Sequence, residues 1–122
     1  MLDELAGPRL YLYQLNFLYG QLSDLDEYLI LPEVKEQFNP CWFGFPITCK
    51  ENVSRAALVK KLEDNCIQTR MLFAGNLIKH PCFVNRVNGG KDEYRVVGGL
   101  QNTDIVMERT FWIGVYAGMT EA

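Results

Sequence analysis

The chain has 122 residues, 48% of them apolar, and its 15 acidic side chains against 12 Lys and Arg give a formal charge of −3. That length suits one compact domain, and the acidic surplus speaks against a nucleic-acid partner, which calls for cations to neutralise phosphates. No apolar run approaches the roughly 20 residues of a bilayer span, and residues 1–8 lack the basic-then-apolar layout of a signal peptide, so a soluble, cytoplasmic chain is expected.

Over residues 11–31, Leu12, Leu15, Leu18, Tyr19, Leu22, Leu25, Tyr28 and Leu29 recur at three- and four-residue steps, which predicts a long amphipathic helix ended by Pro32. Gly20 inside it costs about 1 kcal/mol against Ala and marks a kink or a close packing partner. Residues 42–49 read as an aromatic and β-branched strand, with Pro46 placing it at a sheet edge or a bulge. Ser54 or Asn52 caps a helix that puts Ala57, Leu58 and Leu62 on one face and ends near Asn65.

A strand over 67–73 follows, then Ala74, Gly75 and Asn76 interrupt it before a short helical turn limited by Pro81. Asn88, Gly89 and Gly90 mark an exposed loop, and 94–97 is a short strand. Asn102 or Thr103 caps a helix to about Arg109, and 111–116 is an apolar strand interrupted by Gly114. This order predicts an α+β, two-layer sandwich. Two features sit poorly with an independent domain: the leading helix has more apolar surface than such a sheet needs, and Thr120-Glu121 resembles a helix N-terminus without its helix.

Catalytic patterns are sparse. There is one histidine, no H-E-x-x-H, no G-x-S-x-G and no phosphate-cradling glycine loop, while Gly98-Gly99 lacks the partner glycines of a dinucleotide motif. Cys41, Cys49, Cys66 and Cys82 include no C-x-x-C pair, so free buried thiols are expected and no metal site. The densest unusual stretch is 69–81. There Arg70, inside an otherwise apolar strand, calls for an anionic partner, either a structural carboxylate or a ligand's phosphate. Gly75-Asn76 allows close backbone approach to a ligand or is simply a turn, and His80 before Pro81 reads as a packed surface histidine. Trp42, Phe43, Phe45, Phe111 and Trp112 suit core packing more than a base-stacking pocket. Composition and spacing alone stop at a soluble α+β domain.

The motifs Trp42-Phe43-Gly44-Phe45-Pro46-Ile47-Thr48, Ile67-Gln68-Thr69-Arg70-Met71-Leu72-Phe73-Ala74-Gly75-Asn76-Leu77, Tyr94-Arg95-Val96-Val97-Gly98, Asn102-Thr103-Asp104 and Thr110-Phe111-Trp112-Ile113-Gly114-Val115-Tyr116 occur in an order that resembles the C-terminal part of CDP-4-keto-6-deoxy-D-glucose 3-dehydrases. These belong to the sugar-nucleotide aminotransferase (DegT/DnrJ/EryC1/StrS) superfamily and serve dideoxysugar synthesis for lipopolysaccharide O-antigens. The resemblance implies a PLP-dependent transferase fold of the aspartate aminotransferase type. Residues 1–32 would be the interdomain helix and 33–122 the small C-terminal domain, with the cofactor-binding large domain absent.

It further implies that Arg70 contacts an anionic group, with Phe73, Asn76 and His80 near the sugar nucleotide. The family's chemistry is loss of the C3 hydroxyl from a CDP-linked 4-keto sugar, using pyridoxamine phosphate and a histidine in place of the Schiff-base lysine. A separate reductase supplies electrons through an iron–sulfur ([2Fe-2S]) centre, and the complete enzyme is a homodimer. The base histidine, the phosphate-binding residues and the cluster cysteines belong to the large domain, so none is carried over: no catalytic residue is assigned here, and this chain alone is expected to bind no cofactor. Cys41 stands where relatives have Ser, and Ala117 where they have Pro. The alternatives are a noncatalytic binding or self-association module, a sugar-nucleotide aminotransferase small domain, and a domain completed by a separately encoded partner.

Overall fold

The computed structural model describes residues 6–35, 37–38, 40–88, 94–116 and 118–119. Among them α1 (Ala6–Leu22) leads into a 3-10 turn (Ser23–Leu25), and β1 (Leu29–Ile30), β2 (Gly44–Cys49), α2 (Arg55–Asp64) and β3 (Thr69–Met71) follow. A second 3-10 turn (Leu77–Lys79), α3 (Pro81–Asn88), α4 (Gln101–Arg109) and β4 (Thr110–Gly114) complete the order. The strands form one antiparallel sheet in the order β1-β2-β4-β3.

Pleating divides that sheet into two faces. Phe45, Ile47 and Cys49 of β2 and Phe111 of β4 turn inward, where Leu15 of α1, Leu29 of β1 and Val115 complete the buried cluster. Leu18 and Leu22 of α1 and Leu58, Val59 and Leu62 of α2 pack on it from the helix layer. The alternate residues Pro46 and Trp112 face outward and are paired in register, as are Thr48 and Thr110, whose hydroxyls are 2.8 Å apart. Pro46 sits where β1 no longer flanks β2, so its missing N–H costs no ladder bond, as expected of an edge position.

Helix α2 forms where the sequence places it, but Ala57 is exposed and Val59 joins Leu58 and Leu62 on the packed face. Ser54 is its N-cap, with the Ala57 N–H donating to Ser54 Oγ at 3.3 Å. Its C-terminus is a Schellman motif: the Cys66 N–H reaches Glu63 O and the Ile67 N–H reaches Leu62 O, both at 3.0 Å. Cys66 occupies the left-handed position at φ 64, where glycine is usual.

Several expectations need correction. The leading helix does not run to Leu31: Ser23 Oγ donates back to Gly20 O, α1 gives way to the 3-10 turn, and Leu29–Ile30 joins the sheet beside β2. Polar side chains at Ser23 and Asp24 compete with the helix ladder, and burial of Leu29 against Cys49 outweighs continued helical periodicity. Pro81 limits the 3-10 turn but also opens α3, because the first helical position needs no N–H, while His80 stays extended at ψ 143 as a residue before proline prefers. Asn88 ends α3, and Gly89 and Gly90 lie outside the described residues.

Residues 94–97 form no strand. Val96 and Val97 are exposed, and the segment is anchored by the Tyr94 ring, edge-on to Phe83 at 5.6 Å. Leu100, not Asn102 or Thr103, is the N-cap of α4, without a side-chain cap bond. All four cysteines are free, yet only Cys49 is buried. Among the described residues no helix is long and apolar enough to cross a membrane.

Candidate functional site

The stretch singled out in the sequence, 69–81, forms the outer corner of the sheet. Arg70 lies on edge strand β3 in register with Trp112, so the two side chains stand beside each other on the outward face. An exposed position on an edge strand is why a guanidinium is tolerated in this apolar sequence: Arg70 needs no carboxylate there, and it makes no ion pair or hydrogen bond with any described residue.

After β3 the chain turns through Phe73, which holds φ 35 with its ring 92% exposed. A bulky residue at positive φ is strained by roughly 1–3 kcal/mol and persists only where the surroundings fix it. Here the fixing groups are identifiable. Gly75 sits at φ 62 and presses so closely on Met107 that a Cβ there would stand 2.5 Å from Met107 Cγ. The Asn76 N–H points to Met107 Sδ at 3.4 Å, and its buried side-chain amide donates to Asp104 Oδ1 at 2.7 Å.

Lys79 Nζ closes on the same carboxylate at 2.8 Å, and a ring nitrogen of His80 bonds Ala74 O. The lysine ammonium, and after it the Asn76 amide, hold the Asp104 carboxyl below its ordinary range, while Asp104 raises Lys79. Met107 is itself positioned by Arg55, whose Nη1 donates to Met107 O at 2.7 Å.

The four candidate residues therefore divide. Arg70 and Phe73 are presented to solvent on the outward side, and Asn76 and His80 are turned into the loop that presents them. Beside them the outward sheet face forms a cleft of about 270 Å³ whose lining includes Phe43, Gly44, Pro46, Leu72, Phe73 and Trp112. Phe43 stands edge-on to Trp112, with centroids 5.4 Å apart.

The five aromatic residues weighed together in the sequence thus separate: Phe45 and Phe111 are core, Trp42 is half-buried between core and cleft, and Phe43 and Trp112 wall the cleft. Trp112 follows from its alternation with Phe111. Phe43 shares the parity of Phe45 but precedes the strand, so pleating does not bind it inward. Sequence reasoning missed Met107, Asp104, Lys79 and Arg55 as the loop's supports, since nothing in spacing links α2 and α4 to residues 74–80.

Among the described residues neither implied cofactor finds a fitting set of groups. The cleft lining supplies no side-chain cation or hydroxyl for a cofactor phosphate, and the His80 ring is engaged with backbone. No three His, Cys, Asp or Glu side chains gather among the described residues in a way that could hold a metal.

Comparison with known proteins agrees with this architecture. The chain is 51% identical over 107 residues to the lipopolysaccharide biosynthesis protein RfbH of Salmonella typhimurium, covering 86% of this chain and 23% of that protein. It is 45% identical over 95 residues to the dTDP-4-dehydro-2,6-dideoxy-D-glucose 3-dehydratase of Saccharopolyspora spinosa, covering 76% of this chain and 19% of that one. The chain thus spans about a fifth of the length of the relatives it matches.

Among solved structures, a GDP-4-keto-6-deoxymannose-3-dehydratase carrying a trapped PLP-glutamate geminal diamine superposes with TM-score 0.71 at 20% identity, over 92% of this chain and 28% of that one. A DegT DnrJ EryC1 StrS aminotransferase from Brucella abortus gives 0.73 at 16%, over 94% of this chain and 27% of that one. The fold is accordingly that of an α+β part of a PLP-dependent transferase. Since the family profile matches residues 12–122, which include the sheet, the strained turn and the helix that supports it, this chain belongs to the DegT/DnrJ/EryC1/StrS aminotransferase family.

Proposed function

We propose that this chain is the small domain of a sugar-nucleotide 3-dehydrase, with 1–32 as the interdomain segment and 33–122 as the domain proper. In this reading the whole enzyme removes the C3 hydroxyl of a CDP-linked 4-keto-6-deoxy sugar for lipopolysaccharide O-antigen synthesis in the cytoplasm. The observation that carries it is the 51% identity to RfbH across nearly the whole chain. A large domain contributed from outside this sequence holds pyridoxal or pyridoxamine phosphate, which supplies the electron sink. The whole enzyme is a homodimer served by a separate reductase with a [2Fe-2S] centre.

This chain's own residues bind and orient. Arg70 offers a two-pronged cation to a substrate phosphate, Phe73 lies against the sugar nucleotide, and Asn76 and His80 hold the turn that displays them. The outward side of α1, where Tyr13, Phe17 and Gly20 follow one another at helical spacing and are exposed, packs on the large domain. Gly20 has nothing within 4 Å of where its Cβ would be, so no described residue is the close packing partner that is one of the two readings of its position.

The test is a chimera in which this segment replaces the matching part of the Salmonella relative. Turnover of CDP-4-keto-6-deoxyglucose, given pyridoxamine phosphate and the reductase, is expected from the chimera, none from this chain alone, and a higher KM from Arg70→Ala. A folded, cofactor-loaded chimera without turnover overturns the assignment. The same exposed α1 face favours one second reading, a noncatalytic self-associating module, for which sedimentation of the isolated chain would show a defined oligomer and the chimera no activity.

A further inference from the structure

We propose that the cleft walled by Phe43, Trp112 and Phe73 is an aryl slot that seats the nucleobase of a nucleoside diphosphate, with Arg70 at its rim on the diphosphate. The inference rests on reading the chain as part of a sugar-nucleotide enzyme, and it assigns the end of the substrate remote from the reacting sugar.

Four observations converge on it. The slot is built rather than incidental: Gly44 is the residue that lets the Trp112 indole lie down on β2, since a Cβ there would stand 2.5 Å from Trp112 Cε3. Opposite it, the chain maintains an exposed phenyl at positive φ on a turn held by Met107, Asp104 and His80. A solvated aromatic kept in a strained conformation gains nothing for the fold, which is the pattern of a side chain displayed for a ligand. The lining is nearly all hydrocarbon and ring, with Pro46 as the floor beside Trp112. At about 270 Å³ the space falls just below the roughly 300–1,000 Å³ of pockets that enclose whole drug-sized ligands, so it suits one ring system with the remainder of the molecule outside.

Charge fixes the ligand's other half. A cleft of rings alone would take any apolar group, but Arg70 stands next to Trp112 in register and has no anionic partner among the described residues. A planar ring attached to a chain of phosphates satisfies both features. Stacking on π-faces is tolerant of base identity, so the slot provides affinity and leaves the choice between bases to other contacts.

The test uses the 122-residue chain and three probes, cytidine diphosphate, cytidine and inorganic pyrophosphate, followed by amide and indole NMR signals. Cytidine diphosphate is expected to shift the Trp112 indole and the Phe43 and Phe73 amides. Phe43→Ala, at a side chain 68% exposed and outside the core, should weaken cytidine and cytidine diphosphate about fivefold or more and leave pyrophosphate unchanged. Arg70→Ala should do the converse, weakening the diphosphate and pyrophosphate but not cytidine. Cys41, a thiol lining the cleft, should be protected from alkylation by the nucleotide while exposed Cys66 is not.

Shifts confined to other surfaces, no shift at all, or nucleotide binding indifferent to Phe43→Ala overturns the slot. Failure here is separable from failure of the functional reading. An active chimera whose KM is unmoved by Phe43→Ala removes the slot and keeps the enzyme, whereas specific nucleotide binding by an inactive chimera keeps the slot and removes the dehydrase.

Discussion

The indole of Trp112 occupies the place a side chain at Gly44 would take: a methyl group there would stand 2.5 Å from Cε3 and 3.0 Å from two further ring atoms. Gly114 lies directly across the ladder from Gly44, yet a Cβ at that position meets nothing within 4 Å. Gly44→Ala should therefore lift the indole and cost about 1–3 kcal/mol, as overpacking does. Gly114→Ala should be neutral or stabilise by up to about 1 kcal/mol through the unfolded state. Urea titration, with near-UV circular dichroism of the tryptophan, separates the two, and equal effects would contradict this account.

Cys66 and Phe73 are the described non-glycine residues at positive φ, and their strain serves different ends. Cys66 completes the Schellman turn of α2 and is exposed, so Cys66→Gly should raise stability by about 1 kcal/mol with no other consequence. Phe73→Gly should stabilise to a similar degree, about 1 kcal/mol, and at the same time weaken nucleotide binding. Thermal denaturation alongside the binding titration reads both quantities. Loss of stability in either variant would show that the side chain, not the backbone, dominates at that position.

The turn over 73–80 depends on the Asp104–Lys79 pair with Asn76. A carboxyl whose folded value is lowered supports the fold fully above its ordinary 3.8 and loses that support as pH falls through the lower folded value. Lys79, raised by Asp104 and by Glu108 at 3.7 Å, supports the fold below its ordinary 10.5 and loses that support as pH rises through the higher value. Protection of the amides over 74–79, with exchange corrected for its intrinsic pH dependence, should thus be flat through neutrality and fall at both extremes. Asp104→Asn should abolish the acid limb, and an unchanged acid limb in that variant would place the titrating group elsewhere.

Burial pushes the Cys49 thiol up, against a smaller pull from Arg55. Cys41, Cys66 and Cys82 are exposed, so a disulfide reagent should modify these readily in the native chain and reach Cys49 only on unfolding. Peptide mapping after a short pulse checks this, with fast labelling at Cys49 as the contrary result.

How much of this was legible in the sequence depended on how local the cause was. Helix α2 could be read because Ser54 and the spacing of Leu58 and Leu62 carry its start and its buried face. The core parity of Phe45, Ile47 and Phe111 followed from strand alternation. The 3-10 turn and β1 escaped because Leu25, Tyr28 and Leu29 continue a helical period that pairing between Leu29 and Cys49 overrides. Residues 94–97 have strand-like composition but pair with no strand, which composition does not reveal. At the site, the resemblance named Arg70, Phe73, Asn76 and His80 together, and that Asn76 and His80 turn inward as staples depends on Asp104 and Ala74, contacts that spacing does not encode.

The sheet's two outer strands also determine how the chain associates when concentrated. With β1 of two residues and β3 of three, and a proline on the exposed side of β2, no free edge among the described residues offers a run of N–H and C=O groups long enough to recruit another strand. Fibre growth by edge pairing is thereby blocked at both ends of the sheet. Where copies of the isolated chain meet, the aromatic side of α1 is the surface left to them, and because it is of finite extent any particles seen by light scattering should be small and stop growing with concentration.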